Sequence, residues 1–444
     1  MDTLIYRHRK LTSFQIIILG FSGVILLGTF LLMLPFSSRE GVFTPFLDAL
    51  FTSTSAVCVT GLVVHDTATY WSTFGQVILL LLIQIGGMGV ITVAASIAMI
   101  SGRKISLMQR STMQEAISAP KVGGIVRLTS FIIKVTLCIE LLGAALMAPV
   151  FCRDFGLRGL WLALFHSISA FCNAGFDLMG TRAQFSSLTT YAFHPVINLT
   201  IMALIVTGGI GFLTWDDIRS NGWHLHHYKM QSKVILCTTA ILLIFPAVYF
   251  YVYEFGGLPV GERLLASAFQ SVTPRTAGFN TMDLTALSEP GQFLTISLML
   301  IGGSPGSTAG GMKTTTIAVL IASSAATFSR KENAHFFGRR IENDVVKNAA
   351  TIFLMYIMLF FIGGLVMSIA EGLPELPCLF ETASAIGTVG LSLGLTPGLG
   401  TLSRMILILL MFFGRVGGLT LIFAALSGTK ITMSRLPREK ITVG

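Results

Sequence analysis

The chain has very few charged residues for its length, and this scarcity decides its class. Only 11% of its 444 residues are charged, whereas a soluble domain carries roughly a quarter. Hydrophobic residues make up 53%, and no segment is polar enough to fold alone. The composition therefore predicts a protein of the lipid bilayer. The net charge of +9 does not indicate nucleic-acid binding, because the basic residues lie in short segments between apolar runs.

The sequence also lacks the patterns of metal sites and of common enzymes. Its six cysteines form no CxxC pair, and cysteines in apolar runs behave as small hydrophobic residues. Neither a disulfide framework nor a metal site is therefore expected. No HExxH pattern and no pair of carboxylates occurs within the apolar runs, and the polar segments are too short for a catalytic domain. The chain is therefore not expected to be an enzyme or to hold an organic cofactor.

One short pattern, by contrast, occurs four times. It reads FTSTSAVCVTGL at 51–62, FHSISAFCNAGF at 165–176, FQSVTPRTAGF at 269–279 and FETASAIGTVGL at 380–391. The spacing of about 110 residues suits a repeated supersecondary unit. We therefore expect an all-α membrane protein of four helix–pore loop–helix repeats around a central pseudo-fourfold pore. The predicted repeats are 1–101, 102–220, 221–330 with a broken second helix, and 331–444 with a C-terminal tail.

Each repeat predicts two membrane spans, one on either side of the pattern. The long apolar runs reach the ~20 residues that cross a ~30 Å hydrocarbon core, whereas the pattern itself is too short and predicts a re-entrant helix. Twenty of the 30 lysines and arginines lie in the segments 1–11, 102–127, 216–233, 329–347 and 427–444. The positive-inside rule then predicts eight spans, with both termini cytoplasmic and all four loops entering from outside.

The end of each pattern suits a ring of backbone carbonyls that replaces the water of a bare cation, as in potassium-channel filters. Glycine permits the positive φ that such a backbone needs, and the helix before it points its partly negative end inward. Four ordinary turns with C-cap glycines are the alternative. The predicted ion-binding residues are Val59, Thr60, Gly61, Asn173, Ala174, Gly175, Thr276, Ala277, Gly278, Thr388, Val389 and Gly390.

This plan, with one glycine in each loop, resembles the Trk/Ktr/HKT superfamily of potassium and sodium uptake proteins over the whole chain. Its compact eight-span length is most similar to the bacterial Ktr membrane subunit of the B type. The resemblance implies a homodimer with one pore in each monomer, and a cytosolic ring of nucleotide-binding regulatory subunits. Four glycines are the pattern that the family associates with K⁺; some sodium-selective plant members have serine in the first loop. No loop carries a full TVGYG, so we expect a short filter.

The second long run of repeat three, 291–328, must break. At 1.5 Å per residue it would far exceed the ~30 Å core, and its centre reads IGGSPGSTAGGMKT at 301–314. The superfamily has its intramembrane gating loop at this position; a packing kink is the alternative. The stretch is not a P-loop, because Met312 separates Gly311 from Lys313. The predicted gate residues are Gly302, Gly303, Ser304, Gly306, Ser307, Thr308, Gly310, Gly311, Lys313 and Arg415.

Arg415 lies in the middle of the last predicted span, where a charge is costly and a functional candidate by default. We expect it to face the pore and to donate hydrogen bonds to carbonyls of the 302–311 loop; pairing with an acid is the alternative. The other second runs also contain glycine clusters. These predict close helix packing ahead of gating movement, so only one second helix is predicted to be plainly broken.

The sequence thus predicts a K⁺ uptake subunit with channel-like conduction, gated by residues 302–314 and controlled by a cytosolic nucleotide-binding partner. The basic inner loops and the tail 435–444 are its predicted docking surfaces. A Na⁺-coupled K⁺ symporter and a Na⁺-conducting member of the superfamily are the alternatives. An alternating-access symporter would show inverted repeats with paired broken helices, whereas these repeats are parallel.

Overall fold

The computed structural model describes residues 12–101, 105–119, 121–418 and 420. The helices of the first half are α1 (Ser13–Met33), α2 (Phe46–Val57), α3 (Thr67–Tyr70), α4 (Thr73–Met88), α5 (Val90–Ile100), α6 (Leu107–Ile117), α7 (Ile125–Phe155), α8 (Arg158–Phe171), α9 (Pro195–Ile210) and α10 (Phe212–Asn221). Those of the second half are α11 (Met230–Tyr249), α12 (Val260–Val272), α13 (Glu289–Leu300), α14 (Thr314–Phe328), α15 (Asn343–Glu371), α16 (Glu375–Gly387) and α17 (Thr401–Val416). A short antiparallel hairpin joins β1 (His335–Phe336) to β2 (Arg339–Arg340).

Each repeat begins with a long apolar helix. These helices are α1, α7, α11 with its π-helical continuation to Glu254, and α15, which span 21, 31, 25 and 29 residues. All four exceed the ~20 residues needed to cross a bilayer. Short helices α2, α8, α12 and α16 follow them, with 12 to 14 residues each. At 1.5 Å per residue none of these crosses, so the predicted alternation of spanning and re-entrant helices is confirmed.

The helices close into a circle. Each long helix packs against the short helix of its own repeat. The second helix of each repeat also packs against the short helix of the following repeat, as α4 on α8, α9 on α12 and α13 on α16. The circle then closes where α17 of the fourth repeat packs on α2 of the first. The four short helices are therefore buried at the centre of a pseudo-fourfold assembly.

The second helices correct one prediction, because repeat three is not the only one that breaks. Helices α4 and α5 meet at 96° and α9 and α10 at 94°. The hinges are Gly89 and Gly211, with φ of 86° and 98°. Helix α17 ends at Val416 and is likewise followed by a glycine of positive φ, Gly417, at 88°. Residues with a Cβ rarely adopt such a positive φ, whereas glycine does so readily. The same clusters also pack closely, as predicted: Gly86 lies against Val57 O with no room for a Cβ.

The predicted break in repeat three is present. Helix α13 ends at Leu300 and α14 begins at Thr314, and residues 301–313 form an irregular loop between them. The segments 1–11 and 421–444, with the predicted cytoplasmic termini and the docking tail, lie outside the described residues.

Candidate functional site

Four loops with one shared backbone conformation follow the short helices. The first residue of each loop has a φ between 50° and 61°, and the third is a glycine with a φ between 68° and 94°. The first residues are Val59, Asn173, Thr276 and Thr388, and the glycines are Gly61, Gly175, Gly278 and Gly390. Two positive φ values in three residues turn successive carbonyls in a way that a helix or strand does not. The predicted residues therefore adopt an equivalent conformation four times.

The four glycines meet around one axis. A Cβ built on Gly61 would lie 2.5 Å from Ala174 O, and one on Gly175 would lie 2.8 Å from Ala277 O. A Cβ on Gly278 meets Val389 O in the same way, and one on Gly390 meets Thr60 O. Each glycine thus touches the middle carbonyl of the next loop, and the fourth loop returns to the first. Backbone atoms alone have room in this ring, which we call the four-loop ring.

Hydroxyl groups of the short helices hold the loops from behind. Ser55 Oγ accepts from Gly61 N at 3.1 Å, and Ser384 Oγ accepts from Gly390 N at 3.0 Å. In the other two loops the hydroxyl donates: Ser169 Oγ bonds Phe176 O at 2.7 Å, and Thr273 Oγ1 bonds Phe279 O at 2.6 Å. These bonds fix the residues that flank the ring.

The carbonyl oxygens of the ring accept no hydrogen bond from the part of the chain that the structure describes. Among the described residues, no donor reaches the carbonyl oxygen of any of the twelve predicted ion-binding residues. Their backbone is buried almost throughout, and buried carbonyls in native proteins are nearly always paired. Twelve oxygens without a partner among the described residues form the kind of arrangement that accepts a dehydrated cation.

One side of the ring opens into a cavity of about 170 Å³ that is lined by the four glycines and by Asp66 and Asp177. Asp66 accepts from Ala68 N and Thr69 N, and its second oxygen accepts from Phe185 N. Burial raises the pKa of Asp177 to about 7, and the nearby charge of Asp66 adds to the shift. This cavity, which we call the outer cavity after the predicted orientation, therefore holds two acidic side chains beside the ring. Sequence reasoning missed both acids because they follow the repeated pattern and are not repeated themselves.

The loop 301–313 lies on the other side of the ring. It is tied to the second helices by Ser304 N to Gly209 O at 3.0 Å and by Gly311 N to Gly414 O at 3.0 Å. Thr308 Oγ1 donates to Phe171 O at 3.0 Å, directly before loop two. The letters at 302–306 also match GxSxG, but the Ser304 hydroxyl contacts Thr314 Oγ1 at 3.2 Å and not a histidine. The loop therefore contacts the ring through Thr308 and Asn173, and its serine has the hydroxyl of Thr314 as its partner in place of the histidine of a catalytic triad.

Arg415 makes the contact that the sequence predicted. Its guanidinium donates to Thr308 O in the loop, and on the opposite side to Gly86 O and to Gly87 O at 3.0 Å. No acid within the described ranges pairs with it. Lys313 Nζ donates to Ala309 O at 2.8 Å. Both cations line a second cavity of about 270 Å³, which Glu115 also lines.

Two polar residues join the ring to its surroundings through their side chains. Asn173 donates from Nδ2 to Arg275 O and Thr276 Oγ1, and its Oδ1 accepts from Thr308 Oγ1 at 3.3 Å. One side chain thus links loop two, loop three and the loop beneath. Glu381, behind loop four, accepts from Thr396 Oγ1 at 2.7 Å. Nothing in the pattern of the sequence identifies either set of partners.

These features define a membrane protein that moves cations. The family model described as TrkH, a cation transport protein, matches residues 5–233 and 230–430, and the chain belongs to this Trk/Ktr family. It is 40% identical to the potassium/sodium uptake protein NtpJ of Enterococcus hirae, with 98% of each chain covered. It is 38% identical to the Ktr system potassium uptake protein B of Bacillus subtilis, over 98% of this chain and 97% of that one.

A solved structure shares the fold. The crystal structure of the potassium transporter TrkH from Vibrio parahaemolyticus superposes with a TM-score of 0.72 at 21% identity, covering 95% of this chain and 86% of that one. The predicted fold class, four helix–pore loop–helix repeats around a central pore, is confirmed. The prediction of a transporter and not an enzyme is confirmed as well, because the matched relatives are transporters.

Proposed function

We propose that this chain is the membrane subunit of a potassium uptake system and that K⁺ passes through the four-loop ring. The twelve unpaired carbonyl oxygens carry the proposal, because a dehydrated K⁺ needs a shell of such oxygens. The four short helices point their partly negative C-terminal ends at the same place. The acidic outer cavity raises the local cation concentration. Relatives named for potassium uptake along nearly the whole chain support this substrate.

The loop 302–314 is the proposed gate. In the described state, Arg415 and Lys313 place positive charge in the path of a cation that leaves the ring. The guanidinium of Arg415 bridges Thr308 O on the loop to Gly86 O and Gly87 O on α4. Opening requires that this bridge breaks and the loop moves aside. The membrane potential, worth ~2.3 kcal/mol per charge per 100 mV, then drives K⁺ inward.

The proposed orientation places both termini and the gate side in the cytoplasm of a bacterial cell. Each proposed repeat, with the boundaries given above, contributes one loop to the ring. The exposed hairpin of β1 and β2, with Arg339 and Arg340, belongs to the proposed docking surface for a cytosolic ring of nucleotide-binding subunits. The relatives named as parts of Ktr systems support such a partner. A homodimer with one pore in each monomer completes the proposed assembly.

A Na⁺-conducting or Na⁺-coupled transporter is the second candidate. One relative is named a potassium/sodium uptake protein at 40% identity. The ring is also short, since each loop contributes three residues with the repeated conformation. Fewer successive oxygen sites discriminate less between K⁺ and Na⁺ than a longer filter does.

Ion flux into liposomes tests the proposal. Purified protein is reconstituted, and K⁺ and Na⁺ uptake are measured for wild type and for Gly61→Ser. The new side chain would enter the ring beside Ala174 O, so we expect K⁺ flux to fall and the ratio of K⁺ to Na⁺ flux to change. Gly23→Ser is the matched control, because no atom lies within 4 Å of its added Cβ. Equal K⁺ to Na⁺ ratios in all three proteins would refute conduction through the ring.

A further inference from the structure

A basic cavity lies away from the ring, on the side of the molecule that carries the gate. Its volume is about 840 Å³, and the ends of α5, α6, α7 and α10 surround it. Four cations line it, and they are Arg110, Arg127, Lys134 and Arg219. Among the residues that the structure describes, no acid lines the cavity. The cavity therefore has the charge of an anion site.

The four cations are free to bind a ligand. In the part of the chain that the structure describes, none of them forms an ion pair or a side-chain hydrogen bond. The Arg219 guanidinium lies over the Phe131 ring at 4.8 Å, which orients it without neutralising its charge. All four side chains are exposed. Like charges around one cavity repel each other, so an anion between them is favourable.

Helix α7 adds a second positive contribution. Arg127, Phe131 and Lys134 are spaced four and three residues apart, so they lie along one face of the helix. The N-terminal end of α7 carries no acid in its first turn, and Gly124 gives it no side-chain cap. Ile125 N donates to Val122 O, so the partial positive charge of that end and the N–H groups of Val126 and Arg127 remain available to an anion.

The position of Lys134 indicates a lipid. It lies nine residues into a membrane-spanning helix, about 14 Å along its axis. A lysine within an apolar span is costly unless its flexible stem carries the ammonium group to a charged head group. Leu137 and Leu141, farther along α7, are 49% and 62% exposed and offer an apolar surface for acyl chains. A free phosphate ion would use the cations but not this surface.

We propose that this cavity binds the phosphate head group of an anionic phospholipid in the leaflet on the gate side. The cations and the helix end hold the phosphate, and the exposed leucines contact the acyl chains. Basic pockets between membrane helices bind anionic head groups in this way. The proposal goes beyond ion conduction and does not depend on which cation the ring accepts.

Thermal unfolding of the full chain in detergent tests it, with phosphatidylglycerol, phosphatidylcholine or inorganic phosphate titrated in. We expect only phosphatidylglycerol to raise Tm, because a ligand that binds the folded state stabilises it. The double variant Arg127→Gln/Lys134→Gln should bind phosphatidylglycerol about 30-fold more weakly, since each cation near an anionic lipid contributes about fivefold and the two factors multiply. The control Arg339→Gln/Arg340→Gln removes the same charge from the exposed hairpin and should bind as wild type does.

Three results would overturn the proposal. The first is an equal Tm increase with phosphatidylcholine, which would show binding without charge selection. The second is an equal increase with inorganic phosphate, which would assign the cavity to a soluble anion. The third is unchanged phosphatidylglycerol affinity in the double variant, with a cooperative unfolding transition that shows it is folded. Because the mutated side chains are exposed, folding is expected to tolerate their replacement.

Discussion

Replacing Arg415 is the sharpest test of the proposed gate. The guanidinium donates to Thr308 O on the loop and to two carbonyls of α4. Arg415→Ala removes every bond between the loop and α4 that runs through this side chain. A hydrogen bond to a charged group contributes about 1.5–3 kcal/mol. Losing the one bond to the loop should therefore shift the equilibrium between closed and open loop by about 10- to 150-fold toward open.

The assay is K⁺ uptake into liposomes that contain purified protein without any partner. Arg415→Ala should show at least a tenfold higher uptake than wild type. Arg415→Lys should fall between them, because a single ammonium group cannot bridge both sides as the guanidinium does. Arg339→Ala serves as the control, since Arg339 is also an arginine but is exposed on the hairpin of β1 and β2 and is not part of the loop. Unchanged uptake by correctly folded Arg415→Ala would refute the proposal that Arg415 holds the gate closed.

Three further predictions concern the loop 301–313, the outer cavity and a hinge. Thr308→Val keeps the shape but loses the hydroxyl bond to Phe171 O; at about 1 kcal/mol this should raise K⁺ uptake about fivefold. Because the pKa of Asp177 is raised to about 7, its carboxyl group is protonated below that pH. Wild-type uptake should then fall as the outer pH drops from about 8 to about 6, whereas Asp177→Asn should take up K⁺ more slowly and without this pH dependence; a variant that keeps the wild-type profile contradicts the assignment. Gly89→Ala forces alanine into a φ of 86°, which should lower the free energy of unfolding by about 1–2 kcal/mol. Calorimetry should therefore show a lower Tm for Gly89→Ala, whereas Gly23→Ala should leave Tm near that of wild type.

Repetition made the ring predictable. A single FxS-type loop that ends in Gly61 is an ordinary turn, but four at nearly equal spacing indicate a common role. The structure then gives all four loops the same pair of positive φ values. Arg415 was predictable for a different reason, since an isolated charge in an apolar span is costly and must have a partner. Its partner on the loop followed from the position of the break below the ring.

The bends at Gly89 and Gly211 were not predictable, because a glycine in an apolar run can serve either close helix packing or a turn of the backbone, and the sequence looks the same in both cases. Gly86 permits close packing against Val57 O, and three residues later Gly89 turns the chain by positive φ. Only the backbone angles separate these uses. The acids of the outer cavity were missed because the irregular segments after the ring have no periodicity. Their distance from the axis depends on tertiary packing alone.

The closed circle in which each glycine touches the carbonyl of the next loop arises from one polypeptide. In a channel of four identical subunits, any substitution alters every quadrant at once. Here a single codon changes one quadrant and leaves the other three as they were. Under the proposed conduction through the ring, a mutation would therefore change ion preference one quadrant at a time, and each change would also act on the two adjoining loops.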